Sequence, residues 1–123
     1  MQTTFSIGEI SKETGLSYDT IRYYEKIGLL PPVKRQENGR KEYEKSHLDR
    51  FNFISRLKQT HMPLKEIERY MTLASDHNYE NCYNLLNEHK LKIESQLSEI
   101  QATLKMVSSK MDYYTDLIKR QDQ

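Results

Sequence analysis

The stretch Ser6-Ile-Gly-Glu-Ile-Ser-Lys-Glu-Thr-Gly-Leu-Ser-Tyr-Asp-Thr-Ile-Arg-Tyr-Tyr-Glu-Lys-Ile-Gly-Leu-Leu-Pro-Pro32, continued by Asn38-Gly-Arg-Lys-Glu-Tyr43, decides the fold of this chain. Ser6 and Glu9 have the spacing of a capping box ahead of an apolar stripe at Ile7, Ile10 and Thr14. Gly15 is suited to the left-handed residue that ends such a helix, and a buried Leu16 would pin the turn. Ser17 caps the next helix, and Asp19 lies in its first turn, where the helix dipole favours a negative charge. Ile21, Tyr24 and Ile27 share one face of it, and Gly28 stops it. Two helices joined by so short a turn cross steeply, as a helix-turn-helix does.

The outward face of the second helix carries Tyr18, Thr20, Arg22, Tyr23 and Lys26. Arg22 can fork onto a phosphate or a guanine edge, and tyrosine hydroxyls commonly meet phosphates. Tyr24 is expected in the core and Tyr23 outside it. Pro31 and Pro32 end the helical register and favour extended backbone. Asn38-Gly39 is a strong hairpin signal, because both positions tolerate positive φ. Lys34, Arg35, Arg40 and Lys41 flank it, with Glu37 and Glu42 among them. A charged hairpin is usually only a solvated one, but its place after a helix-turn-helix points to a wing that touches phosphate.

The run from Ile7 to Tyr43 resembles the DNA-binding domain of the MerR family of bacterial transcription regulators. The string Thr20-Ile-Arg-Tyr-Tyr-Glu25, followed by Gly28-Leu-Leu-Pro31, carries the likeness, which extends along the whole chain. The resemblance implies DNA contacts from Tyr18, Thr20, Arg22, Tyr23 and Lys26 of the second helix, and from Lys34, Arg35, Arg40, Lys41 and Tyr43 of the wing. One departure sits at Lys41, where the family usually has an Arg. Lys keeps the charge but not the bidentate fork, so phosphate anchoring is expected to survive and a forked contact is not.

The chain has 123 residues and a formal net charge of +1. Residues 1–75 hold 13 Lys and Arg against 10 Asp and Glu, and residues 76–123 hold 6 against 8, so the front suits a polyanion better than the back. A single cysteine forbids an intrachain disulfide and fits a reducing cytoplasm. No apolar run approaches the roughly 20 residues of a membrane span, and no membrane partner is expected. All four glycines and all three prolines fall within residues 8–63. That asymmetry separates a turn-rich front, residues 1–75, from a linker and continuous helix, residues 76–123.

Ser46 is read as the cap of a third helix, with Asp49 at the matching position, over an apolar side of Leu48, Phe51, Phe53, Ile54 and Leu57 that ends near Thr60. Arg50, Arg56 and Lys58 read as solvated charges, one or two within reach of a DNA backbone. Pro63 suits the first position of a fourth helix whose Leu64, Ile67, Tyr70, Met71 and Leu73 face inward. From about Tyr79 to Ile118 the chain reads as one helix. With a positions at Tyr83, Lys90, Leu97, Leu104, Met111 and Ile118, the d positions fall on Leu86, Ile93, Ile100, Val107 and Tyr114. Lys90 alone breaks this apolar seam, which is a strong coiled-coil pattern. A lone helix has nothing of its own to bury the seam against, so a homodimer is expected. Heptads alone leave parallel and antiparallel pairing open; the resemblance implies antiparallel, with two recognition helices presented to a pseudo-palindromic site.

The fold class is therefore mainly α, a winged helix-turn-helix followed by a dimerisation helix. No cofactor and no metal site are expected: Cys82 and His89 lie two helical turns apart, about 10 Å, too far to share one ion within a chain. Cys82 is the one candidate thiol sensor, against the alternative of a small packed residue. No phosphate-cradling loop or nucleophile–base pair suggests an enzyme. The resemblance implies a homodimeric regulator that distorts a promoter with an over-long spacer so that RNA polymerase engages both promoter elements. The alternative is an architectural or excisionase-like DNA-binding coiled-coil protein without promoter control.

Overall fold

The structure, a computed structural model, describes residues 4–122. Three short strands and five helices follow one another: β1 (Thr4–Phe5), α1 (Ile7–Thr14), α2 (Tyr18–Lys26), β2 (Lys34–Arg35), β3 (Lys41–Glu44), α3 (Lys45–Gln59), α4 (Leu64–Ser75) and α5 (Tyr79–Gln121). The chain divides into two compact units, Met1–Leu85 and Leu86–Gln123.

In the first unit the helix-turn-helix forms as its caps dictate. The Ser6 hydroxyl accepts the Glu9 N–H, and the Glu9 carboxylate accepts the Ser6 N–H. Gly15 adopts φ 75°, a conformation that costs a side chain but not glycine, and turns the chain so that Leu16 is buried. The Ser11 hydroxyl donates to the Leu16 carbonyl at 2.6 Å, and the Leu16 N–H donates to the Thr14 hydroxyl at 3.2 Å. Ser55 of α3 donates to the Thr14 carbonyl at 2.6 Å, which satisfies a buried acceptor at the end of α1. Ile10, Ile21, Tyr24, Tyr43, Phe51, Ile54, Ile67 and Met71 form the core, each at most 1% exposed. Ile27, expected with them, is 40% exposed, because it lies at the C-cap of α2, where the chain leaves the helix. Leu64, expected to face inward, is 53% exposed at the first turn of α4. Phe53, on the expected apolar side of α3, is 39% exposed, with its ring 5.5 Å from that of Tyr70.

The sheet has the order β1-β3-β2 and is antiparallel throughout. β1, too short to carry an alternating pattern, pairs Thr4 with Glu44 and Phe5 with Tyr43. Lys34 pairs with Glu42, and Arg35 with Lys41. The hairpin is not the two-residue type in which Asn38 and Gly39 would both have positive φ. The Gln36 N–H reaches the Arg40 carbonyl and the Gly39 N–H reaches the Gln36 carbonyl, leaving a three-residue loop in which Gly39, at φ 84°, is left-handed and Asn38 is not. α3 starts earlier than the Ser46 cap would place it. β3 runs straight into it, Glu44 is the N-cap, and the Glu44 N–H donates to Nδ1 of His47 at 2.9 Å. Pro63 is the N-cap of α4 and not its first residue.

In the second unit the seam residues Leu97, Ile100, Leu104, Val107, Met111, Tyr114 and Ile118 are each 51–64% exposed, while Leu86 and Ile93 are half-buried. α5 has 43 residues, which makes it about 65 Å long at 1.5 Å per residue. No helix among the described residues is long and apolar enough to cross a membrane.

Candidate nucleic-acid interface

α2 presents Tyr18, Arg22, Tyr23 and Lys26 to solvent, as its apolar face at Ile21 and Tyr24 requires. The Arg22 guanidinium lies 5.6 Å from the centre of the Tyr18 ring and 4.0 Å from the Asp19 carboxylate, a loose ion pair on an exposed surface that contributes little stability. It is therefore pre-positioned without being consumed. Gly8 of α1 makes room for Tyr18: a Cβ at Gly8 would sit 2.9 Å from the Tyr18 hydroxyl. Thr20 takes part in the cap of its own helix, since its N–H donates to the Ser17 hydroxyl, which lies 2.9 Å from the Thr20 hydroxyl.

Tyr23 is 44% exposed and donates its hydroxyl to Glu68 of α4 at 2.9 Å. That hydrogen bond, and next the negative charge of Glu68, raise the Tyr23 pKa above the ordinary phenol value. Tyr24 beside it is fully buried, and its hydroxyl has no hydrogen-bond partner among the described residues.

The wing is tied to the recognition helix through one carboxylate. Glu25 lies 2.9 Å from the Lys41 ammonium and accepts the Tyr43 hydroxyl at 3.0 Å. Burial, followed by the hydrogen bond to Glu25, pushes the Tyr43 pKa well up. Tyr43, expected among the DNA-contacting residues, is fully buried, so its hydroxyl faces Glu25 and not solvent. The Lys41 side chain is 28% exposed, and its charge is engaged inside the protein, whereas its place in the hairpin predicts a phosphate anchor. Lys34 remains open, loosely facing Glu44 at 3.9 Å; Arg40 is exposed, and Arg35 reaches the Gly39 carbonyl at 3.1 Å, bracing the loop. Arg50, read as a solvated charge, instead donates to the Leu29 carbonyl at 3.2 Å.

The structure thus brings together an exposed basic helix face and a basic hairpin within one compact unit. A family model described as "MerR HTH family regulatory protein" matches residues 5–73. The chain belongs to the MerR family. It is a DNA-binding transcription regulator of that family. An HTH-type transcriptional regulator of Bacillus subtilis, YyaN, is 30% identical over 95% of this chain and 95% of its own length. The mercuric resistance operon regulatory protein of Bacillus cereus is 32% identical over 88% and 81%. Among solved structures, HiNmlR, a MerR family regulator lacking the sensor domain and bound to promoter DNA, is 29% identical with a TM-score of 0.77, covering 91% of this chain and 86% of that one. The MerR likeness accounts for the winged helix-turn-helix and for a long C-terminal helix suited to a coiled coil.

Glu25, Glu68, Gly8 and His47 escaped the sequence reading of this MerR-type surface. Their roles depend on partners 10 to 45 residues away, which no local pattern signals. Cys82 is free and half-buried in the first turn of α5, close enough to Tyr70 to help raise that residue's pKa, after burial. Among the described residues, no three His, Cys, Asp or Glu side chains come together as a metal site would need.

Proposed function

We propose that this MerR-family chain acts as a cytoplasmic homodimer that binds a pseudo-palindromic promoter site and works by binding, without catalysis. Arg22, Tyr18, Tyr23 and Lys26 read or grip DNA from α2, and Lys34, Arg35 and Arg40 grip phosphates from the wing. The observation that carries this reading is the solvent-exposed basic face of α2, with Arg22 pre-positioned on Tyr18. Residues 76–123 supply the dimer: seven apolar seam residues of α5 stand exposed in a single chain, a surface that hydrophobic burial against a second α5 removes from water. The dimer's two recognition helices then meet successive major grooves. Phosphate contacts on both flanks offset the energy of deforming an over-long promoter spacer, which lets RNA polymerase, the second partner, engage both promoter elements.

Fluorescence anisotropy on duplexes from upstream of the protein's own gene, against scrambled duplex and at several salt concentrations, tests this. Sequence-selective binding that weakens with salt is expected. Arg22→Ala is expected to cost about 1–3 kcal/mol of specific binding. Wild-type affinity in that variant would remove Arg22 from the readout.

A further inference from the structure

The segment between the recognition helix and the wing contains Pro31 and Pro32, neither of which has an N–H. At those positions backbone carbonyls are the only main-chain groups that can hold it. α3 supplies donors to the segment from one face, at positions i and i+3. Arg50 donates to the Leu29 carbonyl at 3.2 Å, and Nε2 of His47 lies 3.0 Å from the Pro31 carbonyl. The His47 ring is buried, with Nδ1 facing the Glu44 N–H at 2.9 Å. A carbonyl can only accept and an N–H can only donate, so Nε2 carries the proton and Nδ1 the lone pair; this one neutral tautomer satisfies both ends. The ring meets Tyr43 edge-on, with centroids 6.0 Å apart, and Tyr43 in turn binds Glu25 of α2. The linker, the wing and α3 therefore meet at His47 and Arg50, and Tyr43 carries the connection on to Glu25 of the recognition helix.

We propose that His47 and Arg50 are positioning residues that clamp the linker, holding the wing at the offset from α2 at which both meet the same duplex. Neither touches DNA. Without the clamp the wing's charges remain but reach phosphate in only a fraction of conformations, so the wing's share of affinity is lost while that of α2 is kept. This rests on reading both α2 and the wing as DNA contacts.

The experiment uses the full chain and a fluorescein-labelled duplex selected from a random library by the wild-type protein, with anisotropy read across a salt series. Arg50→Met removes one donor. His47→Asn keeps an acceptor near the place of Nδ1 but cannot reach Pro31, whereas His47→Gln keeps a donor near the place of Nε2. We expect Arg50→Met and His47→Asn to weaken binding about tenfold and to lower the salt slope by about 1 for each phosphate the wing no longer reaches, with His47→Gln closer to wild type. Arg40→Ala is expected to cost less in the Arg50→Met background than alone, while Arg22→Ala costs the same in both. If Arg50→Met fails to fold, the same cycle in His47→Asn, which retains the α3 cap, decides the matter. Full additivity of Arg40→Ala with either clamp variant overturns the proposal. If Arg35→Ala and Arg40→Ala leave the affinity and salt slope of the wild type unchanged, the wing reading itself is overturned, and the clamp with it.

Discussion

Lys41 of the wing and Glu25 of the recognition helix form a close ion pair, Nζ to Oε2 at 2.9 Å, with both side chains more than two-thirds shielded from solvent. The same carboxylate oxygen accepts the Tyr43 hydroxyl, so one group on α2 satisfies a charge and a buried polar atom of β3. The pairing gives Lys41 a role in holding the two elements together that its place in a basic hairpin does not suggest.

Glu25→Ala should therefore lower stability by about 2–3 kcal/mol, because it strands both the Lys41 charge and the Tyr43 hydroxyl. Lys41→Ala should cost less, since Tyr43 keeps its acceptor. Urea denaturation of both variants checks the order. Equal costs would mean that Glu25 does not bridge the two.

Two fully buried tyrosines should respond in opposite directions to loss of the hydroxyl. Tyr24 has no partner for its hydroxyl among the described residues, so Tyr24→Phe should leave stability unchanged or raise it by about 1 kcal/mol. Tyr43→Phe loses a hydrogen bond to a carboxylate and should cost about 1–2 kcal/mol. Parallel denaturation curves decide, and a marked destabilisation in Tyr24→Phe would reveal a partner for that hydroxyl.

Alkaline pH should weaken the fold. Burial raises the pKa of Tyr43, Tyr24 and Tyr70 above the reference of 10.0, and Glu25 and Glu68 add to the shifts at Tyr43 and Tyr24. The native state thus holds these protons more tightly than the unfolded chain does. Their contribution is fully present below pH 10 and declines as pH rises past the unfolded value toward the raised native ones. Tm measured from pH 8 upward should fall beyond pH 10, and Tyr43→Phe should flatten the fall. A wild-type Tm independent of pH in that range would contradict the burial assigned to these phenols.

A charge in the α5 seam should prevent self-association. Leu104→Glu or Val107→Glu puts a carboxylate with no partner into the seam, where apolar contact would otherwise be buried. Light scattering coupled to size exclusion should give a dimer for the wild type and a monomer for either variant, with DNA affinity falling in step. A monomeric wild type at micromolar concentration would sink the dimer.

The helix-turn-helix was readable because its signals are local. Ser6, Glu9, Gly15, Ser17 and Gly28 act within four residues of themselves, through caps and left-handed turns whose energies hardly depend on the rest of the chain. The exposed side of α2 and the length of α5 were readable for a related reason: helical periodicity sorts buried from exposed positions before any partner is known. What misled was proximity to a break in that periodicity. Ile27 and Leu64 sit at helix ends, where the apolar stripe no longer predicts burial, and Ser46 looked like a cap only because the pairing of β3 with β1 could not be seen.

From sequence alone came the winged helix-turn-helix, the long apolar-seamed helix and the set of basic residues available to a polyanion, all written in spacings of a few residues. Only the tertiary structure decided which of those residues are free to meet DNA. Lys41, Tyr43 and Arg50 are drawn inward to Glu25 and to the Leu29 carbonyl, while Arg22, Lys34 and Arg40 stay outside. A charge or hydroxyl brought near the core must find a partner there, and its partner lies wherever the fold brings a distant element close.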